Sequence, residues 1–96
     1  MARTNSKKSG QKIKVMLVDD HPIVRQGISL LVAQEPDMEI CGEAESVSEA
    51  LEAMERSRPD IVVVDLTLKE GLGLELIKDV RVRFPRVLAM VYSMRD

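Results

Sequence analysis

Asp19 and Asp20 close a short apolar run, Ile13-Lys14-Val15-Met16-Leu17-Val18, and Asp65 closes another, Ile61-Val62-Val63-Val64. Ser93 stands just beyond a third, Val87-Leu88-Ala89-Met90-Val91, after Tyr92. Short β-branched runs of this kind read as buried strands. One polar ending is ordinary, because a chain leaving the core meets water. Three such endings on adjacent parallel strands would share a single cleft at the carboxyl edge of a sheet. Three carboxylates that close together repel, and one would resist ionising unless a cation joined them. Mg²⁺ suits this setting, since it takes oxygen ligands and binds one or two carboxylates together with a phosphate oxygen. A carboxylate can itself attack phosphorus and form an acyl phosphate. The chemistry suggested is a phosphoryl group held against an acid by a hard divalent cation.

The rest of the chain supplies the elements that would position these groups. Pro22 sits where a first helical residue is favoured, and Val24, Gly27, Ile28 and Leu31 follow at helical spacing until Pro36. Met38-Glu39-Ile40-Cys41-Gly42 alternates as a half-buried or edge strand would. Ser46 and Glu49 have capping-box spacing, in which each satisfies the other's free backbone donor. Val47, Ala50, Leu51 and Met54 then form an apolar face. Gly71 and Gly73 mark a loop, and Leu76, Ile77, Val80 and Phe84 give a third helical face that stops at Pro85. The order is strand then helix, four times over, without the last helix. Strict alternation demands crossovers, and hence an α/β fold with a parallel sheet and helices on both faces. The last strand should leave an apolar edge unpaired.

Composition narrows the function. The net charge of −2 conceals a split: residues 1–14 carry five basic groups and no acidic one. The remainder holds nine basic and sixteen acidic groups, a formal −7. An acidic body is a poor match to a phosphate backbone, so direct nucleic acid contact by this segment is not expected. The basic leader, residues 1–11, reads as solvated and disordered, although it could touch an anionic partner. No run is long enough to span a membrane, no secretory signal is recognisable, and a single cysteine offers no disulfide framework. A cytoplasmic location follows by default. Cys41 reads as a packing residue and the six methionines as core filler and ends.

Three blocks also carry a family resemblance. Val15 to Gly27, with Asp19-Asp20-His21-Pro22, resembles the opening of response regulator receivers of two-component systems, particularly the NarL/FixJ subfamily. Pro59-Asp60-Ile61-Val62-Val63-Val64-Asp65-Leu66 resembles the phosphoacceptor strand, with Gly73 eight residues on, and Tyr92-Ser93 the end of the fourth strand. The resemblance runs from about Lys12 to Asp96, so residues 12–96 are identified as a partial receiver domain. It implies a flavodoxin-like (CheY-like) doubly wound sheet with four strands and three helices, lacking the last strand and last two helices. Asp65 is then the phosphoacceptor. Asp20 ligates Mg²⁺ directly, Asp19 mainly through water, and Asp65 and the backbone carbonyl of Thr67 complete the protein ligands. Ser93 contacts the phosphoryl group and acts as the switch. The implied partners are a sensor histidine kinase and the protein's own output domain, of the helix-turn-helix DNA-binding type, with homodimerisation a further possibility. His21 reads as a residue at the start of a helix rather than as a ligand.

Two departures from the family pattern stand out. Lys69 occupies a position where receivers commonly have Pro, which bears on loop shape more than on chemistry. The chain also stops at Asp96, before the fifth strand and its phosphate-binding Lys. The expectation for these 96 residues is marginal stability, self-association through the last strand and poor phosphorylation. The alternative reading is therefore a receiver-like interaction module that is not phosphorylated. A haloacid-dehalogenase-like phosphohydrolase would also use an aspartyl nucleophile at a strand end, but it wants a second Asp two residues on. Thr67 stands there, so turnover of outside substrates is not expected.

Overall fold

A computed structural model of the chain describes residues 11–68 and 72–93. The elements run β1 (Ile13–Val18), α1 (Pro22–Ala33), β2 (Met38–Ala44), α2 (Val47–Ser57), β3 (Ile61–Asp65), α3 (Leu72–Arg83) and β4 (Leu88–Tyr92). The expected leader falls almost wholly outside the described residues, as do Lys69 and Gly71. All strand pairs are parallel, in the order β2-β1-β3-β4. From β1 the chain turns to one side to form β2 and later to the other to form β3. The order reverses at β1/β3, and in such sheets ligands bind outside the carboxyl ends of the strands at that point.

The alternation of β1 divides its side chains between two layers. Met16 and Val18 join Val62 and Val64 of β3 beneath α2 and α3, where Ala50, Met54, Leu76 and Val80 are all buried. Ile13, Val15 and Leu17 face the other way, with Ile28 and Val32 of α1 packed on them. α1 contains no fully buried residue, and Leu31, expected on its inner face, is exposed. The helix is apolar nearly all round and turns Ile28 and Val32 to the sheet, so Leu31 points away.

Local chemistry explains most boundaries. α1 opens with Pro22 in its first turn after His21 as N-cap. Ser46 caps α2, its hydroxyl accepting from the Glu49 N–H at 3.2 Å. The return bond of the capping box is displaced by one residue: the Glu49 carboxylate accepts from Glu45 N–H at 2.7 Å, not from Ser46. β4 forms the edge of the sheet with Leu88, Met90 and Val91 exposed, as the pattern implied, although it begins one residue later than read.

Gly73 corrects the sequence reading. It lies in the first turn of α3, not in a loop. A Cβ there would stand 2.5 Å from the Asp65 carbonyl oxygen and 3.2 Å from Leu66 Cα. Only glycine lets α3 start this close to the end of β3. Gly73→Ala should cost about 1–3 kcal/mol through forced backbone movement, seen as a lower urea midpoint. An unchanged midpoint would show that the approach is not tight.

Candidate phosphoacceptor and cation site

Asp19 and Asp20 follow β1 directly, and Asp65 is the last residue of β3. Because Leu17 pairs with Val63 and Val18 with Val64, the next residues along both strands leave the sheet side by side. Asp19 and Asp65 are fully buried and Asp20 partly so. Ligand atoms of Asp19, Asp20, His21 and Asp65 all lie within 4.8 Å of one another. The three predicted carboxylates therefore converge.

Their hydrogen bonding is unequal. Asp19 Oδ1 accepts from the His21 backbone N–H at 2.7 Å and lies 2.7 Å from His21 Nδ1. Its Oδ2 accepts from the Tyr92 hydroxyl across two strands. Asp65 Oδ1 accepts from both the amide (2.9 Å) and the hydroxyl (2.7 Å) of Thr67. Asp20 Oδ1 and Asp65 Oδ2 are buried without a hydrogen-bond partner. An unpaired buried carboxylate oxygen is costly, and two facing one cleft are a defect that a cation repairs. The donor set, oxygen-rich and anionic, fits a hard divalent ion.

Among the described residues, the His21 ring is the group beside the carboxylates that carries a positive charge when protonated. Its Nδ1 stands 3.1 Å from Asp20 Oδ1 and 3.4 Å from Asp65 Oδ2. The hydrogen bond to Asp19, above all, lifts the imidazole above its ordinary pKa, and the charges of Asp19, Asp20 and Asp65 add to this against a smaller opposing effect of desolvation. For Asp19 burial is the largest single influence and acts upward, yet the bonds from Tyr92 and His21 together hold its carboxyl below the usual range. Burial, and then Asp19, push the Tyr92 hydroxyl far up, so it remains a donor. Arg25 closes the outer side, giving Nη1–H to the Asp19 carbonyl at 2.6 Å and pairing with Glu43 and Glu45.

Two of these residues were not singled out from the sequence for the contacts they make. His21 does start α1 as expected, but its ring also turns onto the acidic cluster. Tyr92 was read only as the neighbour of Ser93, and it is the group from β4 that reaches Asp19. Ser93 follows β4 in an exposed position. Thr67, expected to act through its carbonyl, holds Asp65 with its amide and hydroxyl.

A profile of the response regulator receiver domain matches residues 15–96. The DNA-binding transcriptional activator DevR/DosR of Mycobacterium tuberculosis is 40% identical over 81 residues, 84% of this chain and 37% of that protein. The nitrate/nitrite response regulator protein homolog of Haemophilus influenzae is 31% identical over 85 residues, 88% of this chain and 41% of the other. The crystal structure of a LuxR-family two-component response regulator from Aurantimonas sp. SI85-9A1 superposes with a TM-score of 0.81 at 35% identity. That match covers 90% of this chain and 61% of the other. The chain spans well under half the length of these curated relatives.

Like-charge crowding should be measurable without any ligand. In EDTA, Asp20→Asn should stabilise the fold by about 1 kcal/mol, read from urea denaturation. A destabilised variant would mean that His21 already compensates the cluster.

Proposed function

Because this chain belongs to the response regulator receiver family, on its NarL/FixJ-type branch, we propose that Asp65 accepts a phosphoryl group from a phosphohistidine on a sensor histidine kinase. The observation that carries this is the contrast between the two oxygens of Asp65. Oδ1 is fixed by two donors from Thr67, while Oδ2 is buried without a hydrogen-bond partner and turned into the acidic cleft. A carboxylate so held has its orientation set and one lone pair left for attack. The P–O bond to Oδ2 forms as the P–N bond to the kinase imidazole breaks. The electron pair returns to that nitrogen.

Mg²⁺ is the cofactor in this reading, held by Asp20, Asp65 and the Thr67 carbonyl, with Asp19 acting through water. When bound, it neutralises the carboxylates and spreads the charge that builds on the phosphoryl oxygens. The division of labour between the two adjacent acids has support in their contacts. Both Asp19 oxygens accept hydrogen bonds, from His21 and Tyr92, whereas Asp20 Oδ1 accepts none and has only the His21 ring 3.1 Å away. The His21 side chain, 53% exposed, has room to leave when a metal ion replaces its charge.

Ser93 follows the strand residue paired with Asp65, and its hydroxyl is proposed to contact the phosphoryl group and sense it. The added charge would shift the face beyond β4 between two states and so govern an output domain, with DNA-binding transcription control the favoured role. Turnover of outside substrates is not proposed. Thr67 stands where a phosphohydrolase would place its acid–base carboxylate, and both its donors are committed to Asp65.

Incubation with acetyl phosphate and Mg²⁺, followed by intact mass measurement, should add one phosphoryl group per chain. Asp65→Ala should add none, and EDTA should slow the reaction on the order of 100-fold or more. Continuous phosphate release would instead indicate a phosphohydrolase, and no adduct an unphosphorylated interaction module.

A further inference from the structure

The opposite end of the sheet, away from Asp65, carries a feature that phosphoacceptance does not use. The connections leading into β3 and β4 lie side by side there, joined by the Leu88 N–H donating to the Asp60 carbonyl at 3.0 Å. Between them is an open cavity of about 330 Å³. Its apolar lining is Phe84, Pro85 and Val87 over the buried Pro59, and Arg58, Arg83 and Arg86 stand around it. The Arg83 guanidinium lies 5.9 Å from the centre of the Phe84 ring. Arg58 Nε donates to the Glu55 carbonyl. Among the described residues no carboxylate forms an ion pair with any of the three arginines. Asp60, the acid nearest in sequence, gives its Oδ2 to the Lys14 N–H.

Backbone strain marks the same place. Arg58 has φ 50°, the only positive φ outside glycine among the described residues, and ends α2 in the left-handed conformation. Glycine or asparagine is the usual residue there, because a Cβ costs energy in that geometry. An arginine held in this conformation is the kind of outlier that points to a use for its side chain.

We propose that this groove docks an acidic peptide segment of a partner protein, seating an apolar side chain against Phe84, Pro85 and Val87 while flanking carboxylates meet the arginines. Arginine forks match carboxylates in geometry as well as charge. The remainder of the body is strongly acidic, so a long polyanion such as nucleic acid would be repelled along most of its length, while a short peptide confines its charge to the basic rim. The site is separate from the acceptor cleft and stands whether or not Asp65 is phosphorylated.

Amide NMR shifts can be followed while the chain is titrated with the capped peptide Glu-Glu-Leu-Leu-Glu-Glu. Shifts should concentrate at Arg58, Asp60 and the segment from Arg83 to Leu88, with a dissociation constant on the order of 100 μM, as befits a small transient interface. The double variant Arg83→Glu/Arg86→Glu, altered only at exposed positions, should weaken binding tenfold or more. Arg58→Gly should weaken binding several-fold yet raise the unfolding midpoint, since it relieves the left-handed strain while removing a ligand. A purely structural Arg58 would not give these opposite signs. The proposal is overturned if millimolar peptide leaves the groove amides unmoved, or if Lys-Lys-Leu-Leu-Lys-Lys shifts them equally. It is also overturned if a 20-nucleotide single strand binds there more tightly than the acidic peptide.

Discussion

Carboxylates do not gather willingly, and this fold gathers three of them by backbone geometry alone. β1 and β3 are adjacent, parallel and in register, so the residues after Val18 and Val64 leave the sheet together. No side-chain attraction is needed to bring Asp19, Asp20 and Asp65 into one cleft. The price of that convergence is borne by the core: Met16, Val18, Val62 and Val64 are fully buried behind it, and their packing keeps the strands from sliding apart. Buried apolar side chains of this size each contribute about 1.5–3 kcal/mol, enough to hold like charges close.

Within the cleft the surrounding donors are shared out unevenly, and that asymmetry gives the site its direction. Asp19 is tied to β4 through Tyr92 and to α1 through His21, which makes it a brace between three elements. Asp65 is held on one side only, by the turn that Gly73 lets α3 overlie. The Asp20 and Asp65 oxygens without hydrogen-bond partners are left facing each other's charge, with the half-exposed His21 ring beside them. With unmet acceptors at its centre the site lacks positive charge, and a cation would supply it.

The parts legible in the sequence were those governed by local pattern. Continuous apolar runs located β1, β3 and β4 and alternation located β2, Pro22 and Ser46 marked helix starts, and the acids at strand ends pointed to the cleft. What stayed hidden depended on approach in three dimensions. Nothing near Gly73 in sequence announces that the Asp65 carbonyl will press on it, so it read as a loop residue. Tyr92 and Asp19 are 73 positions apart, and only the strand order puts them in contact. Leu31 fits the helical period of α1 as well as Val32 does, so the period alone could not choose the inner face. His21 carried two roles, and its place beside Pro22 revealed only the one at the helix start.

The shared cation is the claim on which the rest stands, and Mn²⁺ tests it directly as a paramagnetic probe of amide NMR signals. Substoichiometric Mn²⁺ should first erase the resonances of Val18 to His21 and Asp65 to Leu68, and excess Mg²⁺ should restore them. Broadening that begins instead around the exposed acids Glu43, Glu45 and Glu49, or that Mg²⁺ fails to reverse, would contradict a built cation site at the ends of β1 and β3.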